Sequence, residues 1–222
     1  MDDAELRINV TPTLRVQVVD RLRQAIIGGR FQGGDRLVER TLCDQLGVSR
    51  SVVREAIRTL EAEGLVDTTP RAGPIVARLD WGQAAQVYAI RRLLEADAAA
   101  ACARMASPAV KADLAAALQG IEAALADPAR ARLHDATTAF YRIIFAAAGH
   151  DIAWQIVQRL NGRISRLRAL TLATSDRTTS GPAHMARIAA AIAAGDAGAA
   201  ADAVRAHLDD AARIAQTLLG DA

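Results

Sequence analysis

The sequence of 222 residues predicts a mainly α-helical protein with two domains. The N-terminal domain, residues 1–78, is predicted to hold three helices and a β-hairpin, and the C-terminal domain, residues 79–222, an all-helical bundle. Apolar residues make up 51% of the chain but aromatic residues only 3%, so the cores must be built from Leu, Ile, Val and Ala on helices. Two short segments of alternating polarity, LVDTT and PIVARL, flank PRAG and predict the hairpin.

Composition excludes several classes of protein. No run of about 18 apolar residues occurs, and MDDAELRINV is too charged for a signal peptide, so we expect a soluble, cytoplasmic protein without membrane contact. Cys43 and Cys102 are too few for a disulfide framework and are expected to be small buried residues. Residues 1–78 carry 12 arginines against 11 acidic residues, so any nucleic-acid argument must rest on where the arginines lie.

The first helix is predicted over LRVQVVDRLRQAII, where apolar residues recur at helical spacing. Pro12 with its flanking threonines is a typical helix start, and Gly28 with Gly29 is a typical helix end. FQGGDRLVE then predicts a Gly-rich turn and a short extended piece before a second helix at about residues 39–46.

A tight turn joins the second helix to a third. Gly47 ends the second helix, Val48 is a predicted buried plug, and Ser49 is a predicted N-cap for a helix that runs to about Glu63. Gly64 closes this third helix. Three helices with a tight turn before the third, followed by a hairpin, indicate a winged helix-turn-helix.

The third helix separates an apolar stripe from a polar one. On a wheel of roughly 100° per residue, Val53, Ile57 and Leu60 lie within about 40° of one another and should be buried. The polar residues roughly 100° to 160° away should be exposed together: Ser51, Arg54 and Arg58. Arg50 lies at the N-terminus of the helix, where a recognition helix meets base edges.

A simpler interpretation stays open for these arginines. Arg54 and Arg58 are solvated charges in that interpretation, with Glu55 and Glu61 as ion-pair partners. The agreement of the tight turn, the outward arginines and the predicted hairpin favours DNA binding instead.

The C-terminal half predicts successive helices. Asp80 should cap the first, WGQAAQVYAIRRLLEADAAAACARM, which is predicted to turn Val87, Ile90, Leu93 and Leu94 inward. A second helix follows from Pro108 to about Ala126 and is interrupted at Asp127 and Pro128. Further helices are predicted over RARLHDATTAFYRIIFAAAG, DIAWQIVQRLNGRISRLRALTLAT, AHMARIAAAIAAG and the segment after Asp196, with DRTTSGP as a polar loop.

The segment GRFQGGDRLVERTLCDQLGVSRSVVREAIRTLEAEGLVDTTPRAGPIV resembles the DNA-binding domain of GntR-family bacterial transcription regulators, over about residues 13–78. Gly33 replaces the proline and Cys43 the alanine that are usual in that pattern. The resemblance implies a homodimer on a palindromic operator of double-stranded DNA. It implies DNA contacts from the second helix, the third helix and the wing: Arg40, Ser49, Arg50, Ser51, Arg54, Arg71 and Gly73.

The C-terminal half resembles the FCD-type effector domain of the FadR branch of that family, through YAIRRLLEADAA, AFYRIIFAAAGHD and IAAAIAAGDAGAAADAVRAHL. Many members bind a metal through an Asp, a His four residues later and two further His. Thr137, Tyr141 and Met185 stand at three of those positions, and only His207 is retained. This donor set predicts a pocket without a metal, although a rearranged site with His134 or His184 stays open.

The resemblance predicts an effector-binding and dimerisation domain rather than an enzyme, because no general base or metal-activated water has a source. A small organic acid or related metabolite is the expected effector, and Arg91 is a candidate to pair with a carboxylate. The predicted pocket consists of polar and thioether side chains: Arg91, Thr137, Tyr141, Asn161, Met185 and His207. For Arg91 and Asn161 a satisfied core role is an equal alternative, and a regulator that has lost effector sensing is the alternative function.

Overall fold

The computed structural model describes residues 13–70, 72–126 and 132–220. The chain divides into two compact units, Met1–Ala77 and Arg78–Ala222. Within the described residues both units are mainly helical, and the sheet is a two-stranded hairpin in the first unit. The mainly α fold with a winged helix-turn-helix and a helical bundle is thus confirmed.

The first unit contains three helices and two strands in the predicted order: α1 Leu14–Ile27, α2 Glu39–Leu46, α3 Arg50–Ala62, β1 Val66–Thr69 and β2 Gly73–Val76. The strands are antiparallel and pair Val66 with Val76 at their base. The extended piece after the Gly-rich turn adds one bridge, between Arg36 and Ile75. Thr13 caps α1, since its hydroxyl accepts a hydrogen bond from the backbone N–H of Val16.

The core of this unit lies between α1 and α3. Val53, Ile57 and Leu60 are buried, as the wheel predicts, and pack with Leu22 and Ile26 of α1. This places the opposite face of α3 in solvent.

The turn between α2 and α3 depends on one backbone conformation. Gly47 has φ +65°, in the left-handed region, and its N–H donates to the carbonyl of Cys43. Val48 is half-buried against the core, and Ser49 occupies the N-cap position of α3. The Ser49 hydroxyl is 2.9 Å from the Ser51 hydroxyl and makes no capping bond to the backbone of α3.

The second unit is built from seven helices among the described residues: α4 Trp81–Met105, α5 Pro108–Ala126, α6 Leu133–Ala147, α7 Asp151–Arg163, α8 Ser165–Ala173, α9 Ser175–Ala194 and α10 Ala197–Gly220. Helix α4 packs along α10, and α5, α6 and α9 complete the bundle. The predicted interruption at Asp127 and Pro128 lies outside the described residues.

Two predicted element boundaries are wrong. Residues 151–174 do not form one helix, because the backbone leaves helical geometry at Ile164, two residues after Gly162. The predicted loop at residues 176–182 is helical and includes Pro182 within α9. Tertiary contacts override its polar sequence: Gly181 is buried and the Ser180 hydroxyl donates to Asp210 of α10 at 2.7 Å.

The prediction for the buried face of α4 is partly wrong. Val87 is buried, but Ile90 and Leu93 are 42% and 69% exposed. The buried face instead includes Tyr88 and carries a charged pair. A wheel that ranks residues by hydropathy cannot anticipate a helix whose inner face holds two ionised side chains.

Two further expectations concern single residues and membrane contact. Cys102 is buried, as expected, whereas Cys43 is only half-buried. No helix in the described part of the chain is long and apolar enough to cross a membrane.

Candidate DNA-binding surface and effector cavity

The outer face of α3 presents hydroxyl and guanidinium groups to solvent. Ser51, Arg54 and Arg58 are exposed on it, and Arg50 begins the helix. Arg40, in the first turn of α2, is also exposed. The turn at Gly47 brings these two helices together, so their arginines belong to one unit of the fold.

Arg54 is paired with a residue that the sequence did not indicate. Its Nε and Nη2 atoms donate to the two carboxylate oxygens of Glu39 at 3.1 and 3.0 Å, so that the pair is bidentate. The hydrogen bond from Arg54 is the largest effect on the pKa of the Glu39 carboxyl and lowers it. Arg58 donates to Glu55 at 2.9 Å, as the simpler interpretation expected, whereas Glu61 is not the partner of Arg54.

The tip of the hairpin is described except for one residue. Gly73 begins β2 with φ +72°, and the N–H of Ala72 donates to the Thr69 hydroxyl. The predicted wing contact Arg71 lies outside the described residues. The positive φ at Gly73 fits a backbone position that only glycine adopts at little cost.

A cavity lies within the second unit, between α4, α5, α6, α8, α9 and α10. It holds about 580 Å³ of space between its lining atoms, including its opening. Apolar side chains such as Leu125, Leu133 and Leu208 form much of its wall. Polar groups reach it from Thr137, His207 and two arginines, which is the composition of a small-molecule site.

The structure brings four of the six predicted pocket residues to this cavity: Arg91, Thr137, Met185 and His207. Asn161 and Tyr141 are buried but are not among the described residues that line it. Asn161 lies near the end of α7, which contributes no described residue to the lining. The Tyr141 ring packs against His207, with ring centroids 6.1 Å apart.

Arg91 is already paired inside the bundle. Its Nε donates to Oε1 of Glu95 at 2.7 Å, one helical turn away, and both side chains are buried. Burial lowers the pKa of Arg91, but the charge and hydrogen bond of Glu95 outweigh burial and leave the pKa raised. The sequence left a structural role in the core as an equal alternative for Arg91, and the hydrogen bond to Glu95 supports that role.

Arg168 is a second buried cation in the cavity wall, and sequence reasoning missed it. Its Nη2 donates to the Thr137 hydroxyl at 3.4 Å, and its Nη1 has no hydrogen-bond partner among the described residues. Burial, and then the positive charge of Arg91, lower the pKa of Arg168 to about 10. The sequence did contain one indication of its position. Arg168 lies at helical spacing from Ile164 and Thr171, which are both buried, and this spacing places the arginine on the inner face of α8.

The histidines near the cavity do not gather a metal-binding set. The His184 and His207 rings are 5.7 Å apart, and His184 Nε2 is 3.8 Å from Asp210. Within the described residues, no three His, Cys, Asp or Glu side chains come together in a way that could hold a metal ion. Two imidazoles and a carboxylate are ordinary metal ligands, but in the described part of the chain these side chains do not converge on one point.

Comparison with known proteins identifies both units. Residues 14–76 match the bacterial regulatory proteins of the gntR family, and residues 86–210 match the FCD domain. An HTH-type transcriptional regulator in an unstable DNA locus of Streptomyces ambofaciens is 30% identical over 206 residues, which covers 91% of this chain and 86% of the relative. The chain belongs to the GntR family of transcription regulators.

Two further similarities are consistent with this assignment. The HTH-type transcriptional repressor RspR of Escherichia coli is 24% identical over 75% of this chain and 73% of its own length. The solved structure of McbR/YncC of E. coli covers 94% of this chain and 99% of its own, with a TM-score of 0.76 and 21% identity, and so shares the fold. The GntR-family chain is a DNA-binding transcription regulator and not an enzyme.

Proposed function

We propose that this GntR-family regulator is a repressor that binds a palindromic operator as a homodimer and changes its affinity when a small organic acid occupies the cavity. The outer face of α3 carries the proposal, since it exposes Ser51, Arg54 and Arg58 opposite the buried stripe. Residues 1–78 are the proposed DNA-binding domain, and residues 79–222 the proposed effector-binding and dimerisation domain. We expect the regulator to act in the cytoplasm, where its proposed DNA target lies.

The proposed DNA contacts divide by chemistry. Arg50 and Arg54 present guanidinium forks that suit guanine edges, whereas Ser49 and Ser51 offer hydroxyls for phosphates or base edges. Arg40 on α2 supports a phosphate contact, and the wing from Arg71 to Gly73 is the proposed contact to the flanking groove.

A homodimer is supported by apolar side chains left in solvent on the second unit. Ile90 and Leu93 on α4 share a face with Asp97, and Asp97 Oδ2 is 3.7 Å from His150 Nδ1 at the start of α7. Ile152, one of the first residues of α7, is 76% exposed. Adjacent exposed apolar residues on two packed helices favour a self-complementary interface between two copies.

The cavity supports an effector. An effector shifts DNA affinity only when it binds one arrangement of the dimer more tightly than another. The proposed mechanism is that the occupied cavity favours a dimer whose recognition helices no longer match the spacing of the half-sites.

The first experiment measures fluorescence anisotropy with DNA taken from upstream of the regulator's own gene and from adjacent operons. We expect tight binding to a duplex that contains a palindrome, and clearly weaker binding to a shuffled duplex of equal composition. Equal affinity for both duplexes would contradict the proposed operator recognition, and operator affinity that no organic acid alters would favour the effector-independent alternative.

A second experiment tests the dimer by light scattering. Leu93→Asp places a charge in the apolar face and should give a monomer with weakened operator binding, whereas Gln216→Asp, at an exposed position of α10, should stay dimeric. A Leu93→Asp protein that remains dimeric contradicts the assignment of this interface.

A further inference from the structure

We infer that Arg168 is the residue that selects the effector by charge, and that the cavity takes a monocarboxylate with a small apolar body. The inference rests on the proposed effector function. It adds the side chain that binds the effector and the number of negative charges that the effector carries. Arg168 is 8% exposed and lines the cavity, and among the described residues its guanidinium donates one hydrogen bond, to the Thr137 hydroxyl.

The charges buried on this side of the bundle do not balance. Among the buried side chains that the structure describes, Arg91 and Arg168 carry two positive charges and Glu95 one negative charge, which leaves one positive charge in excess. Glu95 is hydrogen-bonded to Arg91, and its negative charge also acts on Arg168, but the repulsion from Arg91 is the larger effect on Arg168. An uncompensated buried cation is costly, so an anion of one charge is the ligand that this site stabilises.

The geometry distinguishes Arg168 from Arg91 as the receptor. Arg91 Nε is committed to Glu95, whereas Arg168 Nη1 has no hydrogen-bond partner in the described part of the chain. A guanidinium offers a planar fork that fits the two oxygens of a carboxylate. Around it the wall is largely apolar, with Leu125, Leu133 and Pro182, so the rest of the ligand must be apolar and small.

The charge imbalance is tested first without any ligand. Arg168→Met removes the excess charge, whereas Glu95→Gln raises it to two and keeps an acceptor for Arg91. Thermal unfolding of the dialysed full-length chain, in Tris chloride without carboxylates or phosphate, should place Arg168→Met at or above the wild-type Tm. Glu95→Gln should unfold roughly 6 to 20 °C lower. An Arg168→Met protein that is destabilised as much as Glu95→Gln overturns the inference, because Arg168 is then a structural ion-pair member.

The ligand class is tested next with short-chain monocarboxylates and benzoate, each beside its uncharged amide. At least one acid should raise the wild-type Tm while its amide does not. Arg168→Met should lose that rise, and Arg168→Lys should keep the preference for acid over amide. The inference is overturned if no acid stabilises the wild type, if Arg168→Met responds equally, or if inorganic phosphate or succinate stabilises as well as the monocarboxylate.

Operator binding by the wild type is measured in parallel. Failure of the charge selection leaves operator binding in place, whereas failure of the proposed function appears as an absence of specific DNA binding by the wild type.

Discussion

Arg54 gives the sharpest test of the DNA-binding surface. Its guanidinium is held by Glu39 through two hydrogen bonds, and its side chain is 56% exposed. Because Glu39 uses Nε and Nη2, Arg54 must release this partner before its full fork can meet a base. Arg54→Ala should still weaken operator binding by roughly 5- to 150-fold, the range for loss of a bidentate base contact, and should relax base preference at one position.

Arg58→Ala is the matched control, since Arg58 is exposed on the same face but lies one turn further from the helix N-terminus and is paired with Glu55. It should weaken operator and shuffled DNA alike and lower the salt dependence of binding by about one counterion. Fluorescence anisotropy over a salt series with both duplexes measures these effects. Unchanged operator affinity in Arg54→Ala would refute base reading by Arg54.

The variant Glu39→Gln distinguishes two roles for Glu39: competing with DNA for Arg54, or holding Arg54 in position for DNA. If Glu39 competes with DNA for Arg54, its neutralisation should strengthen binding to both duplexes, because a carboxylate near the phosphates is removed. If Glu39→Gln weakens operator binding as much as Arg54→Ala does, Glu39 instead holds Arg54 in its reading position, and the competition argument is wrong.

Three further predictions concern the framework. Gly47→Ala should lower the free energy of unfolding by about 1 to 2 kcal/mol, because Gly47 has a positive φ. Gly120→Ala should raise it by about 0.5 to 1 kcal/mol, because Gly120 lies inside α5 with open space around an added Cβ. Urea unfolding of both variants should therefore give changes of opposite sign. Leu60→Ala should cost about 2 to 5 kcal/mol, since Leu60 is fully buried in α3, and a loss under 1 kcal/mol would show that the site collapses freely. Burial raises the pKa of the Cys102 thiol, so a thiol reagent at mildly alkaline pH should label Cys43 first, and faster labelling of Cys102 would contradict its burial.

The first unit was predictable because local signals agree with one another. Gly47 requires a left-handed turn, Val53 and Leu60 repeat at helical spacing, and PRAG separates two alternating segments. Each of these elements is fixed by residues within about ten positions of it, which is the range over which sequence patterns carry information.

The cavity was only partly predictable because its chemistry depends on pairing between distant elements. Arg91 and Glu95 have a spacing that allows an ion pair on one helix. Only the structure shows that both side chains are buried and that Glu95 therefore binds the arginine that was predicted to bind the effector. Arg168 meets Thr137 from 31 residues away, a contact that no local pattern encodes. The inward prediction for Ile90 and Leu93 failed because hydropathy alone does not separate a buried stripe from exposed apolar side chains, which are common on protein surfaces.

Arg54, in the proposed DNA-binding surface, and Arg168, in the cavity, have different surroundings. Arg54 is exposed and paired, so its charge costs little at rest, and in the proposed DNA complex it would exchange Glu39 for DNA. Arg168 is buried and its Nη1 has no hydrogen-bond partner among the described residues, so its described surroundings favour an anion. The metal set implied by the FCD resemblance falls at positions 137, 141, 185 and 207, and all of these except Tyr141 line the cavity that Arg168 enters. Thr137 and Met185 are poor metal ligands, but Thr137 accepts a hydrogen bond from the Arg168 guanidinium, so the cavity keeps a positive charge without requiring a metal to supply it.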